Sequence, residues 1–116
     1  DGPSLLDLAE NLLSTDELGF RKTFKKSAIK RAKRSGLLRN ICIALGNWGA
    51  SEAVTTLLRA LSDMEPLVRG HAAWALGQIE SSSARSALSE KLTSEEDAWV
   101  RTEIVAAIET QYSSNL

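Results

Sequence analysis

The chain has 116 residues, of which 43% are apolar and 25% charged. That length suffices for one domain with its own core, and the composition excludes disordered, collagenous and disulfide-stapled classes. No apolar run approaches the roughly 20 residues of a membrane span, and no signal-peptide pattern is present. The one cysteine, Cys42, excludes an internal disulfide and suits a reducing, cytoplasmic compartment. Asp1-Gly2-Pro3 carries no initiator Met, so a longer parent protein is expected.

The net charge of −1 conceals a strong asymmetry. Nine of the 14 basic residues are Arg21, Lys22, Lys25, Lys26, Lys30, Arg31, Lys33, Arg34 and Arg39. No acid occurs between Glu17 and Glu52, so a segment of +9 sits beside a remainder of −10 (five basic residues, 15 acidic). Such a split points to an anionic partner.

In chain order, every predicted element is a helix. Ser4 is a candidate N-cap, with Asp7 three residues on, for a helix striped by Leu5, Leu8, Leu12 and Leu13. Ser14 and Glu17 form a second possible capping box, followed by Leu18, Phe20 and Phe24 as buried anchors. Ser27 is placed to cap a short basic helix ending near Arg34, with a break at Ser35 or Gly36. Residues 37–47 read as a central apolar helix, and Gly49 as a turn. Residues 52–61 are amphipathic through Val54, Leu57, Leu58 and Leu61. Pro66 suits the first position of a helix over 67–79. Ser81 to Ser83 is a polar break before a helix over 84–92. Ser94, with Asp97, is a plausible cap for the last helix, over 99–110, after which the tail from Tyr112 is expected to fray.

An internal repeat sets the architecture. Ala44-Leu45-Gly46-Asn47 matches Ala75-Leu76-Gly77-Gln78 at an offset of 31. Glu65-Pro66-Leu67-Val68-Arg69 matches Asp97-Ala98-Trp99-Val100-Arg101 at an offset of 32. Each unit is a short amphipathic helix, a turn with an acid, and a longer helix that opens with Val-Arg. No single unit can bury its apolar face, so stacked units must share one core. Ala72, Ala73, Ala75, Ala106 and Ala107 let helices approach closely, and the acid before each Val-Arg suits a helix N-terminus. Residues 37–110 resemble the short HEAT-like repeats of the bilin-lyase type. The expected fold is all-α: helical-pair repeats forming a short right-handed α-solenoid. N-terminal helices with the basic segment are expected over 1–36 and repeats over 37–116, in one compact domain.

No catalytic, cofactor or metal set is present, as Cys-x-x-Cys, His-Glu-x-x-His and P-loop patterns are all absent. Cys42, within an apolar run, reads as core. His71 reads first as a structural hydrogen-bonder, with a nucleic-acid contact as the alternative. Trp74 and Trp99 read as core, Trp99 because it aligns with Leu67, and Trp48 is the best placed for an exposed stacking surface. The basic run is different in kind. Uncompensated like charges repel within a helix, and the interleaved Phe24 and Ile29 are expected to pin them in place. An extended polyanion satisfies such a cluster; six to eight phosphate contacts imply a log K against log salt slope of roughly −4 to −7.

Phe24, Ser27-Ala28-Ile29-Lys30-Arg31, Gly36-Leu37-Leu38-Arg39-Asn40 and Ala44-Leu45-Gly46-Asn47 together resemble the C-terminal part of epoxyqueuosine reductases. Val68-Arg69-Gly70-His71-Ala72-Ala73-Trp74-Ala75-Leu76-Gly77 looks like the same family's next repeat. The resemblance covers residues 5–110. It implies a parent oxidoreductase that reduces epoxyqueuosine to queuosine in the tRNA anticodon, using cobalamin and two 4Fe-4S clusters held upstream. No catalytic or cofactor residue carries over to this chain, which corresponds to a tRNA-facing appendix. The implied partners are the tRNA anticodon stem-loop and the upstream catalytic domain, with a monomer and no membrane. The candidate nucleic-acid contacts are Lys25, Lys26, Lys30, Arg31, Lys33, Arg34 and Arg39, with Asn40 and His71 behind them. The alternatives are a protein-interaction or scaffold module, a bilin-lyase-like enzyme, and docking of the basic segment onto the catalytic domain.

Overall fold

A computed structural model describes residues 1–14 and 28–113. Among them are six α-helices: α1 (Gly2–Leu13), α2 (Ala28–Trp48), α3 (Val54–Ala60), α4 (Pro66–Gly77), α5 (Ser82–Leu92) and α6 (Ala98–Ser113), with a 3-10 turn at Ser51–Ala53 before α3. The capping box at Ser14, the anchors Leu18, Phe20 and Phe24, the Ser27 cap, and Lys25 and Lys26 lie partly or wholly outside the described residues. The helices form pairs: α1 with α2, α3 with α4, α5 with α6. Pairs stack so that α2, α4 and α6 lie side by side in an inner layer, and α1, α3 and α5 in an outer one. The fold is thus the expected helical-pair repeat array.

One core runs through all three pairs. Leu38, Leu45, Leu57, Val68, Leu76, Leu88, Val100 and Ile104 are closed to solvent. Small residues set the inner-layer spacing. A Cβ on Gly46 would lie 2.6 Å from the Trp74 ring and 2.9 Å from the Ala75 Cα. At the equivalent Gly77 it would lie 2.9 Å from the Ala107 Cα. Both glycines therefore allow backbone contact between neighbouring inner helices. Overpacking costs about 1–3 kcal/mol, against about 1 kcal/mol recovered from helix propensity. Because the clash is partly with backbone, at the Ala75 Cα, the cost lies at the upper end of that range, and Gly46→Ala is expected to lower net stability by about 1–2 kcal/mol, read as a reduced urea midpoint. An unchanged or raised midpoint would show that the helices can separate freely.

Several boundaries differ from expectation for physical reasons. Asp1, not Ser4, caps α1, accepting the Ser4 N–H at 2.9 Å, and Pro3 sits in the first turn, where a missing N–H costs nothing. α2 runs unbroken through Ser35 and Gly36, so the boundary expected at 36/37 falls inside a helix. Arg34 and Ser35 are buried there beside Leu38, so packing continues across the glycine and outweighs its roughly 1 kcal/mol propensity cost. Ile29, expected to pin the basic run, is 71% exposed. Asp97, rather than Ser94, caps α6, accepting the Val100 N–H at 3.0 Å. α6 also continues beyond 110, because buried Gln111 donates to the carbonyls of Leu76 (2.6 Å) and Ile79 at the end of α4. The turn at Gly49 is as expected, with φ +71°.

Candidate nucleic-acid interface

α2 starts as a basic rod. Ala28, Ile29, Lys30, Arg31, Ala32 and Lys33 are all exposed, so the first turn and a half meets solvent on every side. Arg31 also pairs with Glu65 at 3.3 Å, which offsets part of its charge. Arg39 is half-buried, and its Nε donates to the Asn40 Oδ1 at 3.2 Å, bringing two of the candidate residues together.

Arg34 does something else. It is 9% exposed and donates to both oxygens of Asp63, at 2.7 and 3.2 Å, and from Nε to the Leu12 carbonyl at 3.3 Å. One side chain thus ties α1, α2 and the turn before α4. This takes Arg34 out of the exposed basic set: its charge is neutralised inside the fold, so it cannot meet a phosphate without breaking that pair.

The same device recurs one repeat later. Arg69 donates to both oxygens of Glu95, at 2.7 and 2.9 Å, and from Nη1 to the carbonyls of Asp63 and Met64. Asp63 and Glu95 stand 32 residues apart in the repeat, and each also accepts a backbone N–H two residues on, from Glu65 and Asp97. The Arg69 hydrogen bonds hold the Glu95 carboxyl below its ordinary range near 4.5, against the opposing effect of burial. Sequence reasoning saw the acid before Val-Arg but missed this buried pair. The offset between Asp63 and Glu95 was available as a signal; the pairing of Arg34 with Asp63 was not.

The outward side of the inner layer forms a second surface. Repeat spacing aligns Asn40, His71 and Glu103 on α2, α4 and α6, and Ile43, Trp74 and Ala106 one turn further on. A shallow groove is lined by Ile43, His71, Trp74 and Glu103. His71 Nδ1 lies 2.8 Å from the Leu67 carbonyl, which can only accept, so Nδ1 carries a proton. The His71 ring tilts against Trp99, with centroids 5.4 Å apart. Trp99, expected in the core, is 42% exposed, while Trp74 is half-buried at the edge of the core. Trp48, expected to be exposed, is 37% so, and packs against Gly2.

Cys42 is buried, and burial chiefly, with the nearby Asp63 charge, pushes its thiol up to about 12. A protonated buried thiol is neither a nucleophile nor a ready metal ligand. An iron–sulfur cluster needs several thiolates, and this chain has one cysteine. The residues present therefore do not fit the clusters that the resemblance implies for the parent. No group of three or more His, Cys, Asp or Glu among the described residues could hold a metal ion. No described helix is long and apolar enough to cross a membrane.

Comparison with known proteins places these features. The HEAT-repeat family profile matches residues 26–109. The epoxyqueuosine reductase of Salmonella typhimurium is 40% identical over 76 residues, covering 66% of this chain and 19% of the relative. That of Staphylococcus aureus is 30% identical over 101 residues, covering 86% of this chain and 26% of the relative. An uncharacterized protein of Geobacillus stearothermophilus is 33% identical over 99 residues, covering 84% of this chain and 46% of the relative. A crystal structure of epoxyqueuosine reductase with an epoxyqueuosine-modified tRNA-Tyr stem loop superposes with a TM-score of 0.70 at 27% identity, over 90% of this chain and 28% of that one. The chain thus spans less than half the length of these relatives.

Proposed function

The chain belongs to the HEAT-repeat family and is similar to the HEAT-like C-terminal region of epoxyqueuosine reductases; from that premise we propose that it is the tRNA-binding module of such an enzyme. Its own role is to grip the anticodon stem-loop and present the modified base to a catalytic part outside this chain. That part carries the cobalamin and iron–sulfur chemistry, and the reduction of epoxyqueuosine to queuosine occurs there.

The observation that carries this reading is the basic start of α2, where Lys30 and Lys33 are exposed and Arg31, though paired with Glu65, keeps about half of its side chain, 53%, in solvent. Arg39 and Asn40 continue the polar surface two turns on. Phosphate contacts from such a helix set register rather than sequence, which suits recognition of a folded RNA by shape and backbone. The Asp63 and Glu95 pairs hold the repeats rigid, so the charges keep fixed spacing. In fluorescence anisotropy the chain should bind a labelled anticodon stem-loop in preference to an acidic protein or heparin fragment of equal charge. Equal binding of all three polyanions would reduce the assignment to a generic basic patch.

A second reading has one observation behind it. Ile29 and Leu37 are 71% and 48% exposed on the same helix as the lysines. Such residues suit contact with another protein surface, so part of α2 has the character of a docking helix for the catalytic part.

A further inference from the structure

The outward side of the inner layer carries features that a row of phosphate-binding lysines does not need. The six-membered ring of Trp99 packs on α4 at Gly70, where any Cβ would collide with it. The ring is therefore seated, yet 42% of the residue stays open. His71 flanks it at 5.4 Å. Glu103 lies one turn along α6 from Trp99 and lines the adjoining groove with His71. An acid there would repel a phosphate. It would instead accept N–H groups from the edge of a base. His71 commits Nδ1 to the Leu67 carbonyl, which leaves Nε2 as the ring nitrogen available to a ligand. The surface thus combines an aromatic shelf with hydrogen-bond acceptors.

We propose that Trp99, His71 and Glu103 form a seat for one unpaired nucleobase of the bound RNA, stacked on Trp99 and read through N–H donors on its edge. This rests on the RNA-binding reading above and deepens it. The occupant is a base rather than a peptide because the first helix of the same inner layer carries the basic residues Lys33 and Arg39, and Asn40 aligns with His71 and Glu103 at the repeat spacing, so an RNA held by α2 lies along the layer that bears the seat. Unpaired bases splayed from a loop are what proteins stack on aromatic rings when they read RNA. Acceptors on the seat suit the exocyclic amino group of adenine, cytosine or guanine better than uracil, whose single N–H lies between two carbonyls.

The test compares a stem-loop RNA with a fully paired duplex of the same stem. Base stacking is worth about 1–3 kcal/mol per base. Trp99→Ala should therefore weaken stem-loop binding by about 5- to 150-fold with little change in the salt slope, and leave duplex binding unchanged. Trp99→Phe should retain most of the affinity, and its melting curve guards against a folding artefact. Glu103→Gln, a surface change, should weaken the stem-loop while leaving the duplex alone. An abasic substitution at one loop position should be strongly non-additive with Trp99→Ala. Stem-loop binding that ignores both Trp99→Ala and Glu103→Gln, or equal losses for loop and duplex, would overturn the base seat alone. Failure of the unaltered chain to bind the stem-loop would overturn the RNA-binding reading, and the seat with it.

Discussion

Asp63→Ala is expected to destabilise the fold by about 3–5 kcal/mol, because it strands a buried Arg34 guanidinium without its counter-charge. Arg34 and Asp63 are both 9% exposed, and the pair is bidentate. The substitution also removes the acceptor for the Glu65 N–H, at 3.0 Å in the turn before α4. For a domain of this size the loss corresponds to a fall in Tm of roughly 10–25 °C. The double change Arg34→Met with Asp63→Leu should cost far less than Asp63→Ala, since swapping a buried pair for apolar side chains is often near neutral. Thermal melts of the two variants check this. A small loss for Asp63→Ala would show that Arg34 can turn out to solvent.

The second large effect is on binding. Lys30→Glu, Lys33→Glu and Arg39→Glu together should weaken stem-loop affinity on the order of 10²- to 10³-fold at low salt, and flatten the salt slope by roughly 2–3. Lys30 and Lys33 are exposed, and Arg39 donates to its exposed neighbour Asn40. The fold should therefore tolerate the reversals, each shifting stability by about 0.5 kcal/mol or less. The two sets of variants separate the roles of the basic residues: Arg34 belongs to the fold, Lys30, Lys33 and Arg39 to the surface.

Much of the fold was legible because repetition is a strong signal. Ala44-Leu45-Gly46-Asn47 and its copy at 75–78 place Gly46 and Gly77 at the two closest inner-helix contacts, where the structure has them. The inner helices and the Gly49 turn followed from the same pattern. The site was less legible. A run of Lys and Arg treats every member alike, and only tertiary contact separates Arg34 from Lys33. Arg34 and Arg69 are 35 residues apart while the repeat steps by 31 or 32, so no register pairs Arg34 with Asp63. Trp99 shows a different failure. Its alignment with Leu67 holds, but both positions sit four residues before the outward His71 and Glu103 and face the same way. Leu67 is itself 36% exposed, so the shared position is a surface one. Likewise, nothing local marks Gln111 as the cap of α4, because its partners lie more than 30 residues upstream.

The central claim, that the basic start of α2 meets the backbone of tRNA, is tested most directly by titrating an anticodon stem-loop at several salt concentrations. With Arg34 withdrawn into the fold, six of the seven basic candidates remain for phosphate, so log K should fall against log salt with a slope of roughly −4 to −5. The Lys30, Lys33 and Arg39 reversal should bring that slope to about −1 or −2. A slope near zero for the unaltered chain, or one that the reversal leaves unchanged, would contradict the account.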